Sequence, residues 1–328
     1  MNFQSDFSVI SLFSGCGGSS LGYQMAGGKV KLAVEWNDNA VETYKENFPD
    51  TPVYHGDIAN LTANECCELA NMKPGELDIL DGSPPCQGFS GSGKRNLADS
   101  RNQLFNEYIR LLKVLRPKVF VMENVAGLIR GKMKLIFAEI MNQMESCGYK
   151  VRARLLNPMY FGVPQSRSRV IFLGIDKAKT LECTYPKAQT RPMTLRMALD
   201  NVPADEGQGT FTGERLEFSK CIKPGGAGGG IIKGRRYNFN LQRLAWGKPS
   251  RSVLKLVGGT KSKWGGGLIH PQENRHMTIS ELKRISTFPD EFKFIGDFQT
   301  QWARIGNSVP PRFMYAIAEH IRDKILAV

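Results

Sequence analysis

Hydrophobic and polar positions along the first 180 residues predict short strands separated by helices. Apolar runs bounded by Gly, Asn or Asp indicate strands, and apolar residues spaced three and four apart indicate helices. The predicted strands span 7–13, 31–35, 53–57, 76–81, 117–123, 149–156 and 169–174, and the predicted helices span 21–26, 40–47 and 132–146. This alternation is typical of an α/β fold, in which a doubly wound sheet carries helices on both faces.

Charge is distributed unevenly along the chain, whose 328 residues carry a net charge of +13. Residues 1–180 hold 21 basic and 18 acidic side chains, whereas residues 181–275 hold 16 basic and 7 acidic side chains and 15 of the 34 glycines. A local excess of positive charge is typical of a surface that faces a polyanion, and dense glycine favours loops. We therefore predict a large domain of residues 1–184 plus 276–328 and a small, basic, glycine-rich domain of residues 185–275. A flexible, solvated insertion is the alternative.

A single cysteine, Cys86, follows a stiff turn that contains Pro84 and Pro85. Two prolines fix φ near −65° and remove two backbone donors, so that no helix can form across them. The preceding strand places Cys86 at the carboxyl end of a strand, where open α/β sheets hold their ligands. A lone cysteine is most often a small buried hydrophobe. The rigid turn and the Gly/Ser/Lys/Arg segment after it instead favour a nucleophile.

Three strand ends carry residues suited to an adenosine-containing ligand. The turn at residues 14–18, Ser-Gly-Cys-Gly-Gly, opens a helix and lets backbone approach a ligand closely. Glu35 ends the second strand and is placed to accept bonds from two ribose hydroxyls, and Trp36 offers an aromatic face to a base. Asp57 ends the third strand, within reach of an adenine amino group. The turn lacks the Gly-x-Gly-x-x-Gly spacing of dinucleotide sites, and no Gly-Lys-Ser/Thr loop is present, which favours an adenosine cofactor without a diphosphate.

Eight segments together resemble, in the same order, the motifs of the bacterial DNA (cytosine-5)-methyltransferases of restriction–modification type. They are Phe13–Gly18, Glu35-Trp36, Gly56-Asp57-Ile58, Pro84–Gln87, Asp99–Phe105, Glu123-Asn124-Val125, Gln165–Arg169 and Gly306–Pro310. The resemblance implies a mostly parallel, Rossmann-like sheet with an antiparallel last hairpin, typical of methyltransferases that use S-adenosylmethionine. It also implies methyl transfer from that cofactor to carbon 5 of cytosine in a specific sequence of double-stranded DNA.

The family's site residues carry over to matching positions of this chain. Cys86 is expected to add as a thiolate to carbon 6 of a cytosine flipped out of the duplex, Glu123 to donate a proton towards N3, and Arg167 and Arg169 to supply positive charge. The expected cofactor contacts are Phe13, Gly15, Gly17, Gly18, Glu35, Trp36, Asp57, Ile58, Pro85, Leu104, Asn307 and Ser308. The expected DNA contacts are Gln87, Ser90, Ser92, Lys94, Arg95, Arg235, Arg236, Arg251, Ser252, Lys255 and Lys261.

Residues 185–275 resemble the family's target-recognition region in position, with further basic side chains for phosphates at Arg243, Lys248 and Lys263. Where the family usually has Thr before an aliphatic residue, this chain has Ser252, whose hydroxyl is expected to preserve DNA positioning. Two further helices are predicted at 277–288, with Arg284 in a structural ion pair, and at 311–326. The recognition sequence cannot be read from glycine-rich loops.

The composition of the chain excludes several classes of protein. No apolar run approaches the roughly 18 residues of a membrane span, and the N-terminus lacks a signal-like apolar core. The seven scattered cysteines suit neither a disulfide framework nor a zinc site, so no metal is expected. We expect a cytoplasmic, nucleoid-associated monomer without an obligate protein partner, acting beside a restriction endonuclease or alone. A related branch that methylates cytosine in transfer RNA and a catalytically silent DNA-binding regulator are the alternatives.

Overall fold

The structure, a computed structural model, describes residues 7–85, 100–179, 181–203, 205, 208–228, 241–255 and 267–327. Several predicted site residues lie outside these ranges: Cys86, Gln87, Ser90, Ser92, Lys94, Arg95, Arg235, Arg236 and Lys261. The chain divides into two compact units. The first unit comprises Met1–Asn157, Ser168–Lys187 and Met314–Val328, and the second unit comprises Pro158–Arg167 and Ala188–Phe313. The second unit thus takes in residues 158–167 and 276–313, which the sequence analysis assigned to the large domain.

The strands of the described residues are, in chain order, β1 (Phe7–Leu12), β2 (Gly28–Glu35), β3 (Val53–His55), β4 (Ile79–Gly82), β5 (Val119–Val125), β6 (Tyr149–Leu156), β7 (Gln165–Ser166), β8 (Arg169–Asp176), β9 (Leu241–Arg243), β10 (Ser250–Arg251) and β11 (Gly267–Ile269). The α-helices are α1 (Gly18–Met25), α2 (Asp38–Asn47), α3 (Ala63–Ala70), α4 (Ser100–Leu115), α5 (Lys134–Ser146), α6 (Leu195–Ala198), α7 (Gly213–Lys220), α8 (Ile279–Ile285), α9 (Phe298–Asn307) and α10 (Pro311–Ile321).

The first unit is built on a seven-stranded sheet with the order β3-β2-β1-β4-β5-β8-β6. Strands β1 to β5 pair in parallel, whereas β8 runs antiparallel to both β5 and β6. The predicted α/β fold, a mostly parallel sheet with an antiparallel last hairpin, is confirmed. All four residues of β4 are buried, as expected for a central strand covered on both faces.

Most predicted elements are present with shifted ends that have local causes. The strand predicted over 7–13 ends at Leu12, because Phe13 adopts a left-handed φ of 55°. The helix predicted over 277–288 is confined to α8, because Thr278 caps its first turn and Thr287 has a φ of 62°. A π-helical turn, Arg322–Leu326, continues α10 to the predicted end of the last helix.

Aromatic packing around β5 forms the centre of the first unit's core. The Phe120 ring contacts Tyr108 and Tyr149 edge-on, with centroid distances of 6.3 and 5.2 Å. Both tyrosine hydroxyls are satisfied, since Tyr108 donates to Leu80 O and Tyr149 to Pro117 O. Burial of such a side chain stabilises a fold by about 1.5–3 kcal/mol, so this cluster fixes β5 and the residues at its carboxyl end.

The second unit has two short parallel strand pairs, β7 with β10 and β9 with β11. The Arg243 side chain, 4% exposed, lies at its centre. The guanidinium donates five hydrogen bonds, to the carbonyls of Ser219, Ile222, His270 and Glu273 and to Oδ1 of Asn274. The expectation that Arg243 contacts DNA phosphates is therefore wrong, because its donors are used inside the unit.

Ion pairs fix α8 in the second unit. Arg284 pairs with Asp290, which confirms its predicted structural role. Arg275 forms a two-pronged pair with the buried Glu281, with both distances at 2.9 Å. No helix in the described part of the chain is long and apolar enough to cross a membrane.

Candidate active site

The turn after β1 is held by its own backbone and by close packing. Gly17 N donates to Ser14 O at 3.0 Å, and Phe13, Gly15 and Gly17 have φ values of 55°, 56° and 94°. A Cβ at Gly17 would lie 2.2 Å from Cε2 of Phe48, so only glycine fits there. A Cβ at Gly15 would meet no described atom within 4 Å. The turn therefore leaves open space at Gly15 for a ligand.

Glu35 connects the end of β2 to this glycine turn. Its Oε2 accepts a hydrogen bond from Gly15 N (2.8 Å), and its Oε1 accepts from Trp36 N (3.0 Å) and Asn37 N (2.9 Å). The side chain is buried, so the three N–H groups hold the carboxylate in one orientation. Each carboxylate oxygen can accept further bonds, and the predicted contacts with ribose hydroxyls would use that capacity.

Trp36 and Asp57 present their side chains at the surface. Trp36 is 71% exposed. Asp57 is exposed as well, and its Oδ1 caps the 3-10 turn Ile58–Asn60 by accepting from Ala59 N at 3.0 Å. Ile58 is buried, and Leu104 on α4 packs half-buried against the same core. Of these four predicted cofactor residues, Asp57 and Trp36 thus supply an exposed polar and an exposed aromatic group. The other two, Ile58 and Leu104, supply apolar surface in the core.

Arg110 holds the turn at Ile58 against α4, a role that sequence reasoning missed. Its Nη2 donates to Ile58 O (3.0 Å) and Leu61 O (2.8 Å), while Nε pairs with Glu107 Oε2 at 2.6 Å. The i,i+3 spacing of Glu107 and Arg110 was the only signal in the sequence, and it is also typical of an exposed helix surface. The bonds to two carbonyls give Arg110 a positioning role beside Asp57.

The end of β5 is tied to the proline turn that leads into Cys86. Asn124 Nδ2 donates to Pro84 O at 3.2 Å, and Asn124 Oδ1 accepts from Val125 N at 2.8 Å. The Asn124 side chain is 6% exposed, so both ends of its amide are used inside the protein. Pro84 is buried and Pro85 is exposed. This arrangement fixes the backbone immediately before Cys86.

Glu123 and Arg169 form an ion pair between β5 and β8. Arg169 Nε lies 2.7 Å from Glu123 Oε1, and both side chains are largely buried, at 14% and 12% exposure. Arg169 is opposite Val125 in the antiparallel register, two residues beyond Glu123, so the pair is diagonal across the two strands. Arg169 also donates through Nη1 to Ser168 O. The structure thus brings together two of the predicted catalytic residues.

Asp81 is a buried acid on β4 that the sequence analysis did not single out. Its oxygens accept from Ser11 Oγ (3.1 Å) and Tyr23 OH (3.2 Å), and the residue is 2% exposed. Burial raises the pKa of Asp81 from its ordinary value of 3.8 to about 7, the two hydrogen bonds oppose that rise, and the charge of Glu123 adds to it. A polar residue inside an otherwise apolar strand was the signal.

Arg167, also predicted to be catalytic, has both terminal nitrogens engaged within the second unit. Nη1 donates to Val253 O (2.7 Å) and Ser252 Oγ (3.3 Å), and Nη2 donates to Gly306 O (2.8 Å). Arg167 is 7% exposed. These contacts support a structural role, in which Arg167 joins Gly306, near the end of α9, to the segment after β10. They do not support direct action on Cys86.

Asn307 and Ser308 lie at the end of α9 in the second unit. Asn307 is exposed, whereas Ser308 Oγ donates to Arg304 O at 2.8 Å. A Cβ at the preceding Gly306 would lie 2.5 Å from Leu254 O, so glycine is required there. Their predicted contact with the cofactor stays a prediction. Among predicted DNA contacts, Arg251 and Lys255 are exposed and Ser252 is half-buried.

The motif order and this geometry agree with one family of enzymes. A family model of C-5 cytosine-specific DNA methylases matches residues 7–323. The chain belongs to this family. It is therefore a DNA cytosine-5 methyltransferase, and the methylase acts on DNA.

Relatives and solved structures agree with this assignment. The methylase is 36% identical over 326 residues to the type II methyltransferase M1.HphI of Haemophilus parahaemolyticus, covering 95% of this chain and 86% of that protein. It is 31% identical to M.NgoPII of Neisseria gonorrhoeae, covering 97% and 96%. The crystal structure of a prophage-encoded E. coli protein assigned as a DNA modification methyltransferase superposes with a TM-score of 0.80 and 26% identity over 98% of this chain and 99% of that one.

A more distant likeness concerns the fold alone. DNMT2 of Spodoptera frugiperda superposes on the methylase with a TM-score of 0.68 at 20% identity, covering 94% of this chain and 97% of that chain. Methyltransferases of this family depend on S-adenosylmethionine. Within the described residues, no group of three or more His, Cys, Asp or Glu side chains is arranged to hold a metal ion.

Proposed function

We propose that the methylase modifies one cytosine within a specific duplex sequence, through a transient bond between Cys86 Sγ and carbon 6 of a base turned out of the helix. The observation that carries the proposal is the hydrogen bond from Asn124 Nδ2 to Pro84 O. It couples the strand end bearing Glu123 to the turn that leads into Cys86. The hydrogen bond thereby joins the strand that bears the acid to the turn that precedes the nucleophile in sequence, and reacting groups on rigid supports are what such chemistry requires.

Each residue has a defined task in this chemistry. The Cys86 thiolate forms the bond to carbon 6, which makes carbon 5 electron-rich enough to accept a methyl group. Glu123 donates a proton towards N3, where negative charge develops, and Arg169 fixes the orientation of that carboxyl group. Water acting as the base then takes the proton from carbon 5, the electron pair of that C–H bond expels the Cys86 thiolate and restores the aromatic ring, and Glu123 takes back the proton from N3. Because the base is stacked inside the duplex, it must be turned out before Cys86 can reach it.

S-adenosylmethionine fits the residues of the first unit. When bound, it supplies an electrophilic methyl group on a sulfonium. The open space at Gly15 admits a ligand close to the backbone, Trp36 offers an exposed ring face, and Asp57 has a second carboxylate oxygen beyond the one used by Ala59 N. We propose that Glu35 holds the ribose, since three N–H groups already fix its carboxylate.

The decisive experiment uses Cys86→Ser and Glu123→Gln side by side, with labelled S-adenosylmethionine and mixed-sequence duplex DNA. We expect Cys86→Ser to lose turnover while keeping DNA and cofactor binding. Glu123→Gln should lose about 100- to 10,000-fold in rate, because it removes proton donation without changing shape. Glu139→Gln on the exposed face of α5 is the matched control and should retain full activity.

A trapping experiment tests the covalent bond itself. DNA carrying 5-fluorocytosine at the target should remain attached to the wild-type protein, because fluorine cannot leave as a cation and the adduct cannot resolve. Undiminished methylation by Cys86→Ser, or no attached product with 5-fluorocytosine, would overturn the mechanism. A parallel reaction with transfer RNA separates the alternatives, since label in RNA alone favours RNA methylation and label in neither favours a silent DNA-binding protein.

The biological role that we propose follows from the relatives, which are type II methyltransferases. Methylation at one sequence protects host DNA from an endonuclease of the same specificity. Bisulfite sequencing of DNA from a host that expresses this chain should show one methylated sequence context. Digestion of the same DNA with endonucleases that cut that context then shows whether the mark protects.

A further inference from the structure

A cavity of about 350 Å³ lies within the second unit. Four polar side chains line it, Ser166, Gln242, Arg251 and Ser252, together with three apolar ones, Leu254, Leu268 and Trp302. Its volume falls within the range of small-molecule sites, about 300–1,000 Å³. An apolar wall with a few convergent polar groups is suited to a flat heteroaromatic ring whose edge carries hydrogen-bonding atoms.

Gln242 brings an uncommitted amide to this cavity. Its backbone is fixed on two sides, because β9 pairs Gln242 with Leu268 of β11 and an antiparallel bridge joins Gln242 to Ala227. The side chain is half-buried, and its amide has no hydrogen-bond partner among the described residues. A rigid strand therefore presents one donor and one acceptor to the cavity. No structural contact within the described part of the unit accounts for them.

Arg251 brings positive charge to the same cavity from β10. The strand is fixed by its pairing with β7 and by the bond from Ser250 N to Pro164 O (2.8 Å). One terminal nitrogen of Arg251 donates to Gly225 O at 3.0 Å, which orients the guanidinium. Its remaining donors face outwards from an exposed side chain. Arg251 thus differs from Arg243 and Arg167, whose guanidinium groups are buried.

We propose that Gln242 and Arg251 are specificity-determining residues that read purine edges of the DNA target. Glutamine matches adenine through N6 and N7, and arginine matches guanine through O6 and N7, whereas neither side chain can pair as well with a pyrimidine edge. The inference rests on the proposed function and deepens it. It assigns base readout to two side chains of a unit that carries much other positive charge.

The experiment compares target preference rather than total activity. Wild type, Gln242→Ala, Gln242→Glu and Arg251→Ala methylate a duplex library with a randomised sequence around a fixed cytosine, followed by bisulfite sequencing. Each truncation should relax preference at one base position, by about 5- to 150-fold. Gln242→Glu keeps the size of the side chain but loses its donor, and it should shift preference towards a base that offers an amino group.

Matched controls separate readout from folding and charge. Gln272→Ala changes an exposed amide in the same unit, and Arg191→Ala removes an exposed positive charge that does not line the cavity. Both should leave the sequence profile unchanged. The affinity for S-adenosylmethionine and the melting temperature should match wild type in every variant used.

The outcomes distinguish this inference from the function on which it rests. A wild-type protein that methylates no cytosine in the library would overturn the proposed function. If wild type methylates one sequence and the Gln242 and Arg251 variants methylate that same sequence with the same profile, the assignment of specificity fails while the methyltransferase function stands.

Discussion

The two units of this protein use side chains in opposite ways. In the first unit, polar side chains at strand ends bind backbone and hold short turns in place, as Glu35 does at Gly15 and Asn124 does at Pro84. In the second unit, the described strands form only short pairs, and buried arginines such as Arg243 connect the segments through hydrogen bonds to backbone carbonyls. Charge therefore carries different information in each unit. A lysine or arginine count describes a DNA-facing surface only after the buried guanidinium groups are set aside.

Loss of the central arginine gives the largest expected effect and tests whether the units are independent. Arg243→Met leaves five acceptors without a donor, which should destabilise the second unit by about 5 kcal/mol. Hydrogen exchange should show lost protection in residues 208–228 and 267–285, and DNA binding should fail. S-adenosylmethionine affinity in the first unit should persist.

The control for this comparison is Arg191→Met, which removes an exposed charge and should change neither exchange nor DNA binding. Equal loss of protection in both units after Arg243→Met would show that they unfold as one body, and the contrast between them would not hold.

Acidity should affect the two units in opposite directions. The pKa of Asp81 is raised to about 7, mainly by burial, so folded Asp81 binds its proton more tightly than unfolded Asp81. Its contribution to stability is full below about pH 4 and is lost as pH rises to about 7. The pKa of His276 is lowered to about 3, by burial and then by the charge of Arg215. Its contribution is full above about pH 6.5 and is lost as pH falls towards 3.

The expected change is on the order of 4 kcal/mol for each group across its own window. Unfolding in urea from pH 4 to pH 7, followed by hydrogen exchange in each unit, measures it. Asp81→Asn should flatten the profile of the first unit alone, and His276→Gln that of the second unit alone. Parallel profiles in the two units would contradict the prediction.

The smallest expected effect concerns cofactor affinity. Arg110→Gln breaks charge-assisted bonds to Ile58 O and Leu61 O, so the turn bearing Asp57 should lose its fixed position. We expect the KM for S-adenosylmethionine to rise about tenfold while kcat changes little, because the reacting groups lie elsewhere. Arg110→Lys should recover part of the affinity.

Arg116, the residue that follows the end of α4, offers the matched control for Arg110. It donates to Cys147 O and pairs with Asp176, away from the predicted cofactor residues. Arg116→Gln should lower stability without raising the KM for S-adenosylmethionine. A kcat that falls with an unchanged KM in Arg110→Gln would place that residue in the chemistry instead.

The succession of strands and helices along the chain, the glycine turn and the positions of Glu35 and Glu123 on strands were predictable because local sequence dictates them. Alternating apolar residues define strands, and residues at strand ends meet at one edge of a sheet. The partner of Glu123 was not predictable from spacing, since Arg169 reaches it only through the antiparallel pairing of β5 with β8. The resemblance to a known family supplied that residue.

What the sequence could not supply was the distinction between buried and exposed charge. Arg243 and Arg251 look alike in a basic, glycine-rich stretch, yet Arg243 donates to carbonyls inside the unit and Arg251 is exposed. Asp81 had a local signal, a polar residue in an apolar strand, but its partners Ser11 and Tyr23 are distant in sequence and were not predictable. Such contacts are set by tertiary packing, which no local pattern encodes.

The glycine turn has a consequence for the rate at which a new molecule of methyl donor binds to the protein. Its left-handed residues and its bond from Gly15 N to Glu35 are formed by groups of the protein itself, so the conformational cost is met during folding and not each time a new donor molecule binds. Association should then follow a single, ungated step that scales with donor concentration. The turnover rate would then depend on how fast the donor product dissociates, because the turn keeps one conformation throughout the catalytic cycle.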